Sequence, residues 1–357
     1  MKIIDRFEIP YYQYLDELSQ LIEPIPLAND ITALITLYQS MVLIRMMDAK
    51  AIALQRTGKL GTYPSTRGQE AVFVGIGYAM DREDILVPYY RDMATLIQRG
   101  VPLSQILLYW GGDERGNVFE KNQDDFPFSV PVGSQPLHAA GAAFAVKYHQ
   151  ELRGVLTICG DGATSQGDFY EAMNVAGAWK LPLVFVICNN QWAISVPRSA
   201  QTAANTLAQK AIAAGFNGEQ IDGNDIVAVV ARTKEALHKA RSTGQPHLLE
   251  MICYRHHDHT TADDASRYEP QNQRQREWEK EPVARLRRFL ESLNAWNEEK
   301  ETALRDYCTA QVDEAVQAYL DTPQQPPESM FDYLYAELPR AYADQPAILS
   351  RRTRSYG

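Results

Sequence analysis

Residues 155–195, VLTICGDGATSQGDFYEAMNVAGAWKLPLVFVICNNQWAIS, decide the fold. Val155-Leu156-Thr157-Ile158-Cys159 is a short apolar run rich in β-branched residues, the pattern of a buried strand. It stops at Gly160-Asp161-Gly162, where two glycines permit backbone conformations and close approaches that a side chain would block. Asp168-Phe169-Tyr170-Glu171-Ala172-Met173 then reads as a helix start, with Asp168 at an N-cap or first-turn position. Leu183-Val184-Phe185-Val186-Ile187-Cys188 is a second buried strand, ending at Asn189-Asn190. A right-handed crossover sets the two strands side by side and parallel. Asp161 and Asn190 then lie at neighbouring carboxyl ends, where open α/β sheets bind ligands.

The residue types at those two tips suggest a chemistry. One carboxylate, one amide oxygen and a nearby backbone carbonyl form a hard, all-oxygen and incomplete shell. Mg²⁺ prefers six oxygens and takes the remainder from phosphates and water. Gly162-Ala163 leaves backbone N–H groups uncovered ahead of the helix, suited to phosphate oxygens. The unit therefore reads as a Mg²⁺-diphosphate holder. Taken separately, each half also fits an ordinary turn, a Gly turn at Asp161 and a loop start at Asn189-Asn190.

Together the halves are more specific. GDG followed by NN spans 31 residues from Gly160 to Asn190 and resembles the motif of thiamine-diphosphate enzymes. With Ser165-Gln166-Gly167-Asp168-Phe169-Tyr170-Glu171 inside it and Ala193-Ile194-Ser195 after it, the stretch resembles one branch. That branch is the alpha subunit of the decarboxylating component of 2-oxo acid dehydrogenase complexes, nearest to the pyruvate dehydrogenase type. The resemblance covers roughly residues 30–340. It implies an α/β, thiamine-diphosphate-binding fold, a mostly parallel sheet flanked by helices, with helical N- and C-terminal extensions.

Length and composition agree with an enzyme of that class. At 357 residues the chain is long enough for one large α/β domain or two smaller ones. A net charge of −10 argues against non-specific binding to nucleic acid or anionic membrane. Cys159, Cys188, Cys253 and Cys308 are widely spaced, and three of them sit in apolar strand-like runs, so reduced core thiols are expected. No basic leader precedes a long apolar stretch, and no run is expected to span a membrane. A cytoplasmic location is the expectation.

The rest of the chain arranges itself around the central unit. Residues 1–30, with Pro10, Pro24 and Pro26, read as an arm, residues 31–275 as the α/β domain, and residues 276–357 as a helical extension of that domain. A wide apolar stripe from Ile31 to Ile44 predicts a first helix running on to Lys50. Residues 58–70, GKLGTYPSTRGQE, form a loop with two basic residues. A short strand at residues 84–88 delivers Tyr89-Tyr90-Arg91-Asp92 to its end; by residue type Arg91 suits either a phosphate or a surface ion pair. Residues 137–145 are a small-residue helix, packed inside its own domain or at a subunit interface. Helices are also expected at residues 206–216, 226–242 and 277–320, the last with Trp278, Val283, Leu286, Phe289, Leu290 and Leu293 on one face. Residues 247–254 are a further strand, and residues 331–334 begin a last docking segment.

The resemblance assigns roles residue by residue. Asp161, Asn190 and the carbonyl of Trp192 would hold Mg²⁺. Tyr90, Arg91, Gly162, Ala163 and Arg255 would bind the diphosphate, Val132 would support the pyrimidine ring partly through its backbone, and Gly160 and Ile194 complete the cofactor-binding set. His259, in the loop Arg255-His256-His257-Asp258-His259, matches the active-site histidine; an imidazole titrates near neutrality and can donate or accept a proton. Three histidines in five residues also suit zinc, a reading set aside because no Cys lies close in sequence. His138 reads as structural or interfacial. Two departures from the family pattern stand out: Glu269 follows Tyr268 where Arg is common, and Cys188 precedes Asn189-Asn190 where Arg or Gln is common. Thr260 falls where eukaryotic relatives carry a regulatory phosphoserine.

The expected activity is oxidative decarboxylation of a 2-oxo acid, pyruvate foremost, with acyl transfer to the lipoyl group of an acyltransferase component. Branched-chain 2-oxo acids and acetoin are competing substrates, since one methylene is worth only about 1–3 kcal/mol in a pocket. The family's activating glutamate comes from a beta subunit, so the resemblance implies an α₂β₂ heterotetramer. A catalytically silent assembly subunit and a Mg²⁺-dependent phosphohydrolase are the rival readings.

Overall fold

The structure is a computed structural model describing residues 1–332 and 334–353. Residue 333 and residues 354–357, parts of the expected docking segment and C-terminal extension, lie outside the described residues. Among the described residues eight strands occur, in chain order β1 (Tyr11–Tyr12), β2 (Ile85–Val87), β3 (Val155–Gly160), β4 (Leu183–Asn189), β5 (Trp192–Ala193), β6 (Val196–Pro197), β7 (Asn217–Asp222) and β8 (His247–Ile252). Six of them form one parallel sheet in the order β1-β7-β8-β4-β3-β2. As expected, β3 and β4 are neighbours, with Gly160 opposite Cys188. Both are buried and almost wholly apolar, Thr157 and Asn189 apart, because helices cover both faces of the sheet.

One face carries α5 (Gln135–Tyr148) and α6 (Gly167–Trp179), whose Ala139, Ala143, Phe169 and Ala176 pack on β3 and β4. The other carries α1 (Ile31–Arg56), α2 (Glu70–Ala79) and the helix Ile226–Thr243, all in the larger core. Between α2 and α5 lie α3 (Met93–Gln98) and α4 (Leu103–Trp110). Asp30 caps α1 by accepting from the Ala33 amide at 3.0 Å, and Asp225 caps the helix Ile226–Thr243.

Several expectations are corrected. α1 is 26 residues long and, by length and composition alone, could cross a membrane. Here its Leu34, Leu37, Met41 and Val42 are buried in the core, and its Asp48 and Arg45 sit in polar networks. The helix expected at residues 206–216 shrinks to Lys210–Ala213. The segment 277–320 is three helices, Gln271–Trp278, Pro282–Ser292 and Glu298–Leu320. Val283, Leu286, Phe289 and Leu290 are buried, but Trp278 and Leu293 are exposed at helix ends. The N-terminal arm contributes an unexpected edge strand, with Tyr11 opposite Gln220 on β7. Asp225 fastens the arm by accepting from the Tyr14 and Leu15 amides at 2.6 and 2.8 Å.

Candidate active site

At the carboxyl ends of β3 and β4 lies a cleft of about 190 Å³. Tyr90, Arg91, Val132, Gly160, Asp161, Gly162, Ala163, Asn190, Trp192, Ile194 and His259 all line it. Arg255 alone among the expected residues stands behind the wall. Residues distant in sequence thus converge because parallel strands deliver their tips to one edge.

The oxygen set is held by side chains that do not themselves line the cleft. Asp161 is buried and accepts from Gln201 Nε2 at 2.8 Å. Burial pushes its pKa up to about 6, against the pull of that hydrogen bond and of Arg255. Asn190 donates through Nδ2 to Gln69 Oε1 at 3.0 Å, and its Oδ1 accepts from the Trp192 amide at 3.2 Å. Cys188 Sγ donates to the same Gln69 oxygen at 3.3 Å. A thiol here therefore helps fix the Asn190 amide indirectly, through the shared Gln69 oxygen, the structural outcome of that departure.

The glycines keep the crossing open. A Cβ on Gly162 would lie 2.6 Å from the Cβ of Ala193, whereas one on Gly160 would meet nothing within 4 Å. β5 and β6 form a tight hairpin whose turn begins at Ile194 with φ +54°, and Gln191 just before it has φ +74°. Positive φ is a costly state for a β-branched residue, and such strain gathers at functional sites.

Two buried guanidiniums dominate the electrostatics. Arg91 and Arg255 are each 1% exposed. Arg91 donates to the carbonyls of Ser65 and His259 at 2.7 and 2.9 Å. Arg255 donates to the Ile194 carbonyl at 2.9 Å and the Tyr268 hydroxyl at 2.8 Å, with the Trp192 carbonyl at 3.5 Å. Neither has a carboxylate in ion-pair contact among the described residues. Unneutralised buried charge is costly, so two such cations beside one cleft fit an anionic ligand. The buried and unpartnered Tyr89 hydroxyl on the same wall adds another uncommitted polar group. Together with the all-oxygen set of Asp161, Asn190 and Trp192, these groups fit a Mg²⁺-diphosphate ligand.

His259 sits between the two arginines, its Nδ1 3.2 Å from Arg91 and 3.3 Å from Arg255. A guanidinium only donates, so Nδ1 carries the lone pair and the proton of the neutral ring sits on Nε2. Burial, and then the charges of Arg91 and Arg255, push its pKa down to about 3. This corrects the expectation of a ring that titrates near neutrality: without an anion present, His259 is a neutral donor.

The neighbouring histidines diverge. His256 packs on Trp278, with ring centroids 4.7 Å apart, and among the described residues no three His, Cys, Asp or Glu side chains gather as a metal site, so the histidine loop forms no zinc centre there. His138 is exposed and stacks on Phe126, away from the cleft. The loop at residues 58–70 is tied in by buried Asp48, which accepts from Ser65 Oγ at 2.6 Å and the Thr66 amide at 2.7 Å. Ser65 thereby reaches Arg91, and Gln69 reaches Asn190, but Arg67 turns away onto Trp278. Glu269, in place of an arginine, is buried and accepts from the Tyr254 hydroxyl and Arg274 Nε.

Residues 38–328 match the dehydrogenase E1 component family. The chain belongs to that family. It is 41% identical over 344 residues to the pyruvate dehydrogenase E1 component subunit alpha of Staphylococcus aureus strain Mu50, covering 95% of this chain and 92% of that one. The corresponding subunit of Staphylococcus epidermidis strain RP62A is 39% identical over the same shares. In this dehydrogenase E1 component, Gln69 and Gln201 are the site residues that sequence reasoning missed. Gln69 lies in the GQE end of the 58–70 loop, where the two basic residues drew attention and the amide did not. Gln201 offered no signal, since an isolated Gln in a polar stretch carries no spacing.

Proposed function

We propose that this chain, with Mg²⁺ and thiamine diphosphate, decarboxylates a 2-oxo acid, pyruvate foremost, and passes the acyl unit to a lipoyl group. The observation that carries the reading is the pair of buried, uncompensated arginines beside an all-oxygen metal set. Thiamine diphosphate, when bound, supplies the nucleophilic carbon and the electron sink that decarboxylation needs. The Asp161 carboxylate, Asn190 Oδ1 and the Trp192 carbonyl would hold Mg²⁺. Arg91, Tyr90 and the Gly162 and Ala163 amides would take the diphosphate, with Arg255 adding charge from behind. Val132 and Ile194, about half exposed at the mouth, offer apolar support to the rings. His259 Nε2–H would donate to an oxygen on the reacting side, and an incoming anion would offset the arginines and raise its basicity.

The named relatives are alpha subunits of pyruvate dehydrogenase, which supports pyruvate as substrate and a beta chain as partner. That partner would close the open mouth and bring the activating glutamate, giving α₂β₂, with a lipoylated acyltransferase as the acyl acceptor and the cytoplasm as the location. The test is co-purification with the beta chain, followed by assays of pyruvate, 3-methyl-2-oxobutanoate and acetoin with a dye acceptor. The expected result is turnover that requires both chains, Mg²⁺ and thiamine diphosphate, fastest on pyruvate. A cofactor-loaded pair that turns over no 2-oxo acid would overturn the reading.

A further inference from the structure

A second cleft, of about 490 Å³, opens between the 58–70 loop and the helix Gln271–Trp278. Its walls carry groups that neither the fold nor the proposed chemistry employs. His256 is 6% exposed, and neither ring nitrogen makes a hydrogen bond. Arg67 lies over the Trp278 ring at 4.9 Å, and its Nε is buried without a partner. An orphaned buried polar atom costs about 1–3 kcal/mol, so three of them on one wall call for a ligand. Gln271, Gln275 and Ser266 also line the cleft, and the one acid among its described lining residues, Glu269, is paired with Arg274 and accepts from the Tyr254 hydroxyl.

We propose that this cleft binds a small phosphate monoester, the phosphate held by the Arg67 guanidinium and the His256 imidazole and the organic body resting beside Trp278. The sign follows from the lining among the described residues: one cation outside any ion pair, several donors and no unpaired carboxylate favour an anion. A guanidinium matches phosphate geometry through paired N–H groups, and a neutral imidazole can add one ring N–H to a phosphate oxygen. The volume exceeds what inorganic phosphate fills, and the indole edge supplies the apolar part of the wall. The cleft is separate from the thiamine-diphosphate site but mechanically joined to it. The His256 amide donates to the Arg67 carbonyl at 3.0 Å, Arg255 and His259 flank His256 on the same loop, and Ser65 on the other segment accepts from Arg91 through its carbonyl. A ligand bridging Arg67 and His256 would brace both segments that position those groups.

The experiment is calorimetric titration of glucose 6-phosphate and of inorganic phosphate into the full chain assembled with its beta partner and saturated with Mg²⁺ and thiamine diphosphate. Filling the active cleft first removes competition from the diphosphate site. The expected result is one saturable site per alpha chain for the monoester, tighter than for inorganic phosphate, and weakened at least tenfold by Arg67→Gln and by Trp278→Ala. No saturable binding, equal binding by the Arg67→Gln variant, or binding that appears only when thiamine diphosphate is withheld would each overturn the proposal.

Discussion

At the scale of single residues, the site is governed by what surrounds each group more than by its type. His259 was legible as a site residue from its place after Arg255, but its protonation state was not, because that depends on Arg91, 168 positions away in sequence. Its pKa lies below the unfolded value, so the contribution to stability is present above about pH 6.5 and is lost as the pH falls towards 3. In the free chain, ¹⁵N chemical shifts of the ring should stay those of an Nε2-protonated neutral imidazole down to about pH 4. Adding inorganic pyrophosphate with Mg²⁺ should move the midpoint upward by screening both guanidiniums. A free-chain midpoint near 6.5 would show that the two arginines do not face the ring in solution. Asp161 shifts the other way, upward through burial, so its ionised form is held at a cost that a bound cation would relieve.

At the scale of elements, the β3–α6–β4 unit could be read directly because apolar runs, two glycines and a crossover specify it locally. The short pieces could not. β5 and β6 are two residues each and depend on a turn at Ile194 that its own side chain disfavours. Lys210–Ala213 is a single turn where an apolar run promised three, because Leu207 and Ala208 give their amides to Glu250 on β8 instead. The loop at residues 58–70 illustrates a support read only by half: its position was visible, but its hydrogen bonds were not. Gln69→Leu should keep the fold, since Gln69 Nε2 is already a buried donor without a partner. It should weaken Mg²⁺-dependent cofactor affinity by about 10–100-fold, the usual effect of removing a group that orients a metal ligand. Calorimetry on the assembled pair measures this, and unchanged affinity would mean that Asn190 is oriented without Gln69.

At the scale of the molecule, α5 serves two surfaces. Its Ala139, Ala140 and Ala143 are packed into the core, so the small residues do hold the helix close to its own sheet. Its outer side carries Phe144 and Tyr148 beside Trp179 of α6, ring against ring and about half or more exposed, while a Cβ on Gly141 would meet nothing. Aromatic groups gathered on a surface mark association sites. Phe144→Asp should leave thermal unfolding of the isolated chain within about 0.5 kcal/mol of wild type. It should shift the assembled particle to smaller species in sedimentation, and an unaltered particle would assign the contact to another face. The N-terminal arm has a consequence of another kind. Leu15 meets Asp225 across 210 residues of chain, and β1 can pair only once β7 exists. On a ribosome adding about 5–20 residues per second, Leu15 waits roughly 10–40 s for Asp225 to be made. Through that interval Leu15, fully buried in the folded chain, lacks the surroundings that shelter it, so this edge of the sheet closes late, only after β7 and Asp225 have been made.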